Sequence, residues 1–209
     1  MLRFGLLFLV FSALALSAVA FEAAEKTEIA IDLIRASHAM EPPSLRAQVL
    51  AQAADQIEAS WAQPAQWHAG AAETLSAIYA LQGEAAHGDN ALYAKSIAAA
   101  SHAVALAPVQ PQAWARLAAF AQMGLPGVPC SVATCLDMSW RSARMTDPET
   151  ACIRLRIAHA EGLLIDPNDA RIAWYVRSGV APQEMAQCLD FLPTNTVFRL
   201  LINARRPVR

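Results

Sequence analysis

Lysine is nearly missing from this chain of 209 residues: Lys26 and Lys95 stand against 14 arginines. At a formal net charge of −2 the chain lacks the basic surplus of a nucleic-acid footprint, so no nucleic-acid partner is expected. Glycine is scarce at 8 residues, and neither a phosphate loop nor a dinucleotide fingerprint occurs. Gly-x-Ser-x-Gly and His-Glu-x-x-His are also missing, which removes the signatures of the α/β-hydrolase elbow and the zinc peptidases. The five histidines, His38, His68, His87, His102 and His159, are scattered without ligand spacing. No metal and no other cofactor is therefore expected. No apolar/polar alternation persists over five residues, which argues against half-buried strands.

What the chain has is alanine, within a hydrophobic share of 56%. Alanine loses no side-chain entropy when the backbone coils, so the composition predicts an all-α protein. The length suits one domain with a sizeable core.

The N-terminus carries a targeting pattern. Arg3 precedes an uncharged apolar run from Phe4 to Val19, and Ala18-Val19-Ala20 fits the small-x-small cleavage rule. A signal peptide over residues 1–20 is expected, with cleavage near Ala20 and a periplasmic or secreted product over 21–209. The alternative is an uncleaved anchor in the inner membrane, because the run is only slightly short for a span. That segment is the chain's one expected route to a membrane. Four cysteines, Cys130, Cys135, Cys152 and Cys188, fit an oxidising compartment and allow three pairings. With Ser131 as a helix N-cap, Cys130 and Cys135 hold the two positions that touch in a hydrophobic staple. This favours Cys130–Cys135 and leaves Cys152–Cys188 to brace two later helices.

Pattern and breakers lay out the helices. The first spans Glu22 to Met40 and is broken by Pro42-Pro43; Ser44 is expected to cap the second. The third runs from Pro64 to Gly83, and Asn90 is expected to cap a fourth that ends at Ala107. The fifth covers Pro111 to Met123, the sixth Val132 to Met145 and the seventh Glu149 to Leu164. The eighth carries Ile172, Trp174, Tyr175 and Val176 and ends at Gly179; a short helix follows from Pro182 to Leu192 and a last one from Thr194 to Ala204.

Ala107-Pro108 and Asp147-Pro148 lie 40 residues apart, and Ala103 and Ala143 each sit five residues before their proline. This is the grammar of stacked helical hairpins. With Pro111 as position one, Trp114, Leu117-Ala118, Ala143 and Pro148 fall where the tetratricopeptide repeat places its Trp, Leu, small residue, late Ala and terminal Pro, given an insertion at Gly124–Pro129. A preceding unit has Leu75, Ser76, Tyr79, Ala103 and Pro108, and a degenerate third has Ile157, Ala158 and Glu161. Residues 69–165 thus resemble a short tetratricopeptide-like α-solenoid, flanked by irregular helices. In general build the chain also resembles accessory proteins of bacterial surface-polysaccharide (capsule or exopolysaccharide) assembly.

That resemblance implies a groove lined by the first helix of each hairpin. Gln112, Arg116, Gln122 and Met123, with Arg156 and His159 from the next unit, are the expected groove residues. Arginine offers a planar fork to a carboxylate, so an extended peptide is the expected ligand. Residues 121–209 hold 10 basic and 8 acidic side chains against 5 and 10 in 21–120. Arg141, Arg144, Arg154 and Arg156, and a tail of Arg199, Arg205, Arg206 and Arg209, make a second candidate docking surface. The expected function is an exported, non-catalytic adaptor that binds protein partners of the envelope, including polysaccharide-assembly machinery. One alternative is a carbohydrate-active lyase or hydrolase, for which only Glu161 with His159 comes near. The other is a carbohydrate-binding module using Trp61 and Trp67, although all five tryptophans, with Trp114, Trp140 and Trp174, also serve to fill gaps between alanine-lined helices.

Overall fold

The computed structural model describes residues 2–40, 42–60, 63–143, 146–163, 169–178, 180–193 and 196, with backbone alone at 2–10 and 182. Apart from Thr196, the expected helix from Thr194 to Ala204 lies outside the described residues, as do Trp61, Arg144 and the arginine tail. Those residues form ten helices and no strand, so the protein is all-α.

α1 (Leu2–His38) is one continuous helix, which corrects the expected start at Glu22. No glycine or proline stands between the apolar run and the acidic segment, so nothing interrupts the coil. Its two halves differ in packing. Phe11, Leu14, Leu16 and Phe21 are exposed, whereas Ala23, Thr27, Ala30 and Ser37, on one helical face, are buried. That face packs on α2 (Pro43–Glu58), with Ser60 just beyond α2 donating to Glu22 and Lys26 to Gln56. Pro42, not Ser44, is the N-cap residue of α2, with no side-chain cap. Pro42 has no side-chain acceptor to offer, Pro43 at the first helical position lacks an amide, and the Leu45 amide donates to the Pro42 carbonyl instead.

The expected Pro64–Gly83 helix is two helices, α3 (Pro64–Trp67) and α4 (Ala69–Ala85). His68 divides them: its backbone is extended and its Nδ1 accepts from the Ala71 amide. A histidine thus serves as N-cap. α5 (Asn90–Leu106) is capped by Asp89, which accepts from Ala91 and Leu92, rather than by Asn90. α6 (Pro111–Gln122), α7 (Val132–Ser142), α8 (Pro148–Ala160), α9 (Ala170–Arg177) and α10 (Pro182–Cys188) follow, the last four shorter than expected. Ser131 caps α7 as expected, accepting from Thr134.

The helices pair as antiparallel hairpins. Ser76 meets Ser96 and Gly83 faces Tyr93 across α4 and α5; Pro111 meets Ser139 and Pro108 meets Ser142 across the start of α6 and the end of α7. α6 and α8 run parallel, since Gln112 reaches Asp147 and Gln122 reaches Glu161. The repetition is clearest at the ends of α4, α6 and α8. In each, the residue at the turn is left-handed: His87 (φ 57), Gly124 (φ 70) and Gly162 (φ 68). In each, its amide and the next bond back to the last turn: His87 to Glu84 and Gly88 to Gly83, Gly124 to Ala121 and Leu125 to Phe120, Gly162 to His159 and Leu163 to Ala158. This is the Schellman ending, and it recurs every 37 to 38 residues. One apolar cluster joins α1, α2 and α4; a larger one runs from Ala72 of α4 through α5 to α10.

Candidate functional site

The face formed by α4, α6 and α8 carries the expected groove residues. Arg116 on α6 bonds Glu73 on α4 at 2.8 Å, and the pair is largely buried, at 20% and 17% side-chain exposure. Gln112 donates to Asp147 at 3.2 Å and Gln122 to Glu161 at 3.5 Å. These donors, expected to face a ligand, are each engaged at a neighbouring helix or its cap, where they stitch one hairpin to the next. Met123 is exposed at the end of α6. Arg156 reaches Asp190 at 3.8 Å and the His159 ring stacks on Phe191 at 4.3 Å, both tying α8 to the segment after α10.

Of the four arginines expected to form a docking surface around the Asp147-Pro148 turn, Arg141 and Arg156 are exposed and Arg144 lies outside the described residues. Arg154 is fully buried. Its Nε donates to Ser139 Oγ, its Nη1 to the Ala143 carbonyl and its Nη2 to the Ser139 carbonyl, at 2.8, 2.9 and 2.7 Å. It therefore closes the C-terminal end of α7, where the helix dipole favours a cation. Burial pushes its pKa down to about 10, with the charge of Asp147 opposing, so it remains charged at neutral pH. Two guanidinium groups lie over the Trp140 ring, Arg154 at 4.7 Å and Arg171 at 5.4 Å. Arg141 pairs with Asp137 in the open. Of the tryptophans offered for sugar stacking, Trp67 is 73% exposed, whereas Trp114 donates to the Pro108 carbonyl and packs on the core.

The cysteines pair as the staple argument favours. Cys130–Cys135 has a Cα–Cα distance of 5.7 Å and holds the Gly124–Pro129 loop to α7; Cys152–Cys188, at 5.6 Å, holds α8 to α10. Two such pairs fit an oxidising, extracytoplasmic compartment. Among the described residues no helix is long and apolar enough to cross a membrane.

The second disulfide forms part of the wall of a cleft of about 600 Å³. Ile153, Tyr175 and Val180 complete its apolar lining, and Asp147, Glu149, Arg156, Glu184 and Gln187 supply its polar groups. Asp147 is already engaged: Oδ1 accepts from the Thr150 amide and Oδ2 from Gln112 and Thr146. Burial works against its charge, but the hydrogen bonds from Thr150 and Thr146 win and hold its carboxyl below the ordinary value. Tyr175 is only 2% exposed, and its phenol is raised above its ordinary pKa by burial and then by the charge of Glu184. A second cavity of about 790 Å³ lies beside His38, Arg46, Glu84 and His87.

Glu149, Glu184 and Tyr175 carry no site signal in the sequence. Two are first-turn acidic residues, ordinary beside a helix dipole, and the third reads as core. Cys152 and Cys188 held the signal, because pairing them brings together two short helices that both start with proline and a nearby glutamate.

No protein-family model matches the chain, and no curated protein or solved structure matches it either.

Proposed function

We propose that this protein is an exported, non-catalytic adaptor of the bacterial cell envelope that binds a protein partner. The surface-polysaccharide setting rests on general resemblance, and tetratricopeptide-like stacking of the hairpins belongs to the same reading. The recurring Schellman endings and the parallel α6 and α8 support that stacking. The observation that carries the adaptor role is the open cleft clamped by Cys152–Cys188, at one end of a scaffold whose groove donors are engaged between helices. Periplasmic export fits two further facts: exposed apolar side chains give way to packed ones at Ala23, just past the expected cleavage at Ala20, and all four cysteines are paired.

A carbohydrate-active enzyme is the second reading, favoured by the convergence of Glu149, Glu184 and Tyr175 on one cleft. Two measurements decide. Cross-linking in intact cells with a photoreactive residue at Gln187 is expected to give a discrete protein adduct in the periplasmic fraction. Incubation with envelope polysaccharides is expected to release no new reducing or unsaturated ends. A chain retained in the cytoplasm, or one that cleaves polymer, overturns the adaptor reading.

A further inference from the structure

We propose that the cleft between α8, α9 and α10 is a receptor for a cationic side chain, a lysine or arginine presented by an extended segment of the partner protein. The inference rests on the adaptor reading and names the chemistry of its site.

The first observation is Tyr175. Tyr175 is only 2% exposed and lines the cleft; its hydroxyl has no protein hydrogen-bond partner among the described residues, yet it is not sealed from solvent. A largely buried phenol whose hydroxyl keeps contact with solvent beside a cleft can exchange that water for a donor or acceptor of a ligand. The raised pKa of this phenol, from burial and then from Glu184, agrees with a carboxylate close to the ring.

The second observation is charge at the rim. Glu149 and Glu184 are exposed and make no ion pair among the described residues. Arg156, the cation among the lining residues, faces Asp190. Carboxylates are therefore in excess, and an anionic ligand would meet repulsion. Below the rim, Ile153, Val180 and the Cys152–Cys188 disulfide offer apolar contact. A lysine or arginine matches this layering, with an aliphatic stem for the wall and a charged head for the carboxylates and the phenol oxygen. The cleft volume of about 600 Å³ is ample for one such side chain and its flanking backbone. The disulfide fixes α8 against α10 before binding, which lowers the ordering cost of association.

The test uses the full disulfide-bonded chain with ring-labelled tyrosine. There are only three tyrosines, so the spectrum is simple, and Tyr175→Phe assigns the signal. The probes are acetyl-Gly-Lys-Gly-amide, its Arg and Glu counterparts, and a chito-oligosaccharide. The Lys and Arg peptides are expected to shift the Tyr175 resonance and leave Tyr79 and Tyr93 still. The exposed pair Glu149→Gln with Glu184→Gln is expected to weaken that binding about tenfold, and added salt to weaken it further. No response to Lys or Arg, an equal response to the Glu peptide, a response to the sugar alone, or binding unchanged in the double variant would each overturn the proposal. The two readings separate in cells. If the double variant still cross-links the partner, the cleft assignment fails and the adaptor stands. If the peptides bind as expected and no partner is captured, the adaptor reading fails and the cation site stands.

Discussion

The α4–α5 hairpin and the region from α6 to α10 are built of the same units but held by different chemistry. In α4–α5 the helices are long, 17 residues each, and meet through small side chains. Ser76 Oγ donates to the Ser96 carbonyl and Ser96 Oγ to the Ser76 carbonyl, at 2.9 and 2.7 Å, and Gly83 lies against the Tyr93 ring. Close backbone approach gives dispersion contact along the whole length, so no tether is present. α7 has only 11 residues and buries few of them. It is held from outside, by Ser139 to the Pro111 carbonyl, Ser142 to the Pro108 carbonyl, three bonds from Arg154 and the Cys130–Cys135 staple. Short helices with narrow apolar faces need fixed crosslinks; long small-residue helices do not.

The largest break in that contrast is expected at Cys152–Cys188. It closes a loop with a sequence separation of 36, so Cys152→Ala with Cys188→Ala should lose about 4 kcal/mol by loop entropy. The Cys130–Cys135 pair, separated by 5, should lose only about 2 kcal/mol. Urea unfolding of the two double variants measures the difference. Equal losses would show that the short staple acts by native contacts rather than by restricting the unfolded chain.

Next comes Arg154→Ala, expected to lose about 3 kcal/mol through a cavity and the orphaned acceptors at the end of α7. Amide exchange should quicken over α7 and leave α4–α5 protected. Arg154→Lys should recover little, because one ammonium cannot reproduce the fork that serves Ser139 and Ala143. Faster exchange in α4–α5 as well would mean that the two regions unfold as one.

Gly83→Ala probes the untethered hairpin. A Cβ there would lie 2.7 Å from Tyr93 Cε1. Overpacking of about 2 kcal/mol opposes a gain in helix propensity of about 1 kcal/mol, for a net loss of about 1 kcal/mol. In a Tyr93→Leu background the clash disappears and the same substitution should stabilise. Thermal melts of the four chains close the cycle.

The helices were legible because alanine, proline and caps act locally. Ser131 and Asp147 announce the starts of α7 and α8, and the staple spacing at Cys130 and Cys135 identified a disulfide from one turn of helix. The repeat was read from prolines, and its real marker is the left-handed residue ending α4, α6 and α8. Two of those three are glycines, but the first is His87, which nothing local distinguishes from a surface histidine. Ala103 and Ala143, aligned by their prolines, play different parts: Ala103 is buried within α5, whereas Ala143 is the extended cap of α7, its carbonyl taken by Arg154. That difference comes from a residue 11 positions away, beyond the reach of a local pattern. The candidate cleft was hidden for the same reason, since Tyr175, Glu149 and Glu184 meet only once Cys152 and Cys188 are paired.

The smallest expected effect tests how α4 and α5 recognise each other. The two serine hydroxyls lie 3.1 Å apart, and each also donates to the carbonyl opposite. Each hydroxyl can use its proton once, so the Oγ–Oγ contact and the two Oγ–carbonyl bonds share protons. Either Ser76→Ala or Ser96→Ala should lose about 1 kcal/mol, one buried hydrogen bond. After the first substitution the remaining hydroxyl keeps its carbonyl but loses its neighbouring oxygen, so the second loss should fall short of the first, and the double variant should lose less than the sum. Both carbonyls retain their helical amides, and alanine keeps the close backbone approach, so the helices should not separate. A double variant that loses the full sum would show two independent bonds. One that loses much more would show that the hydroxyls, rather than the small-residue packing, set the distance between α4 and α5.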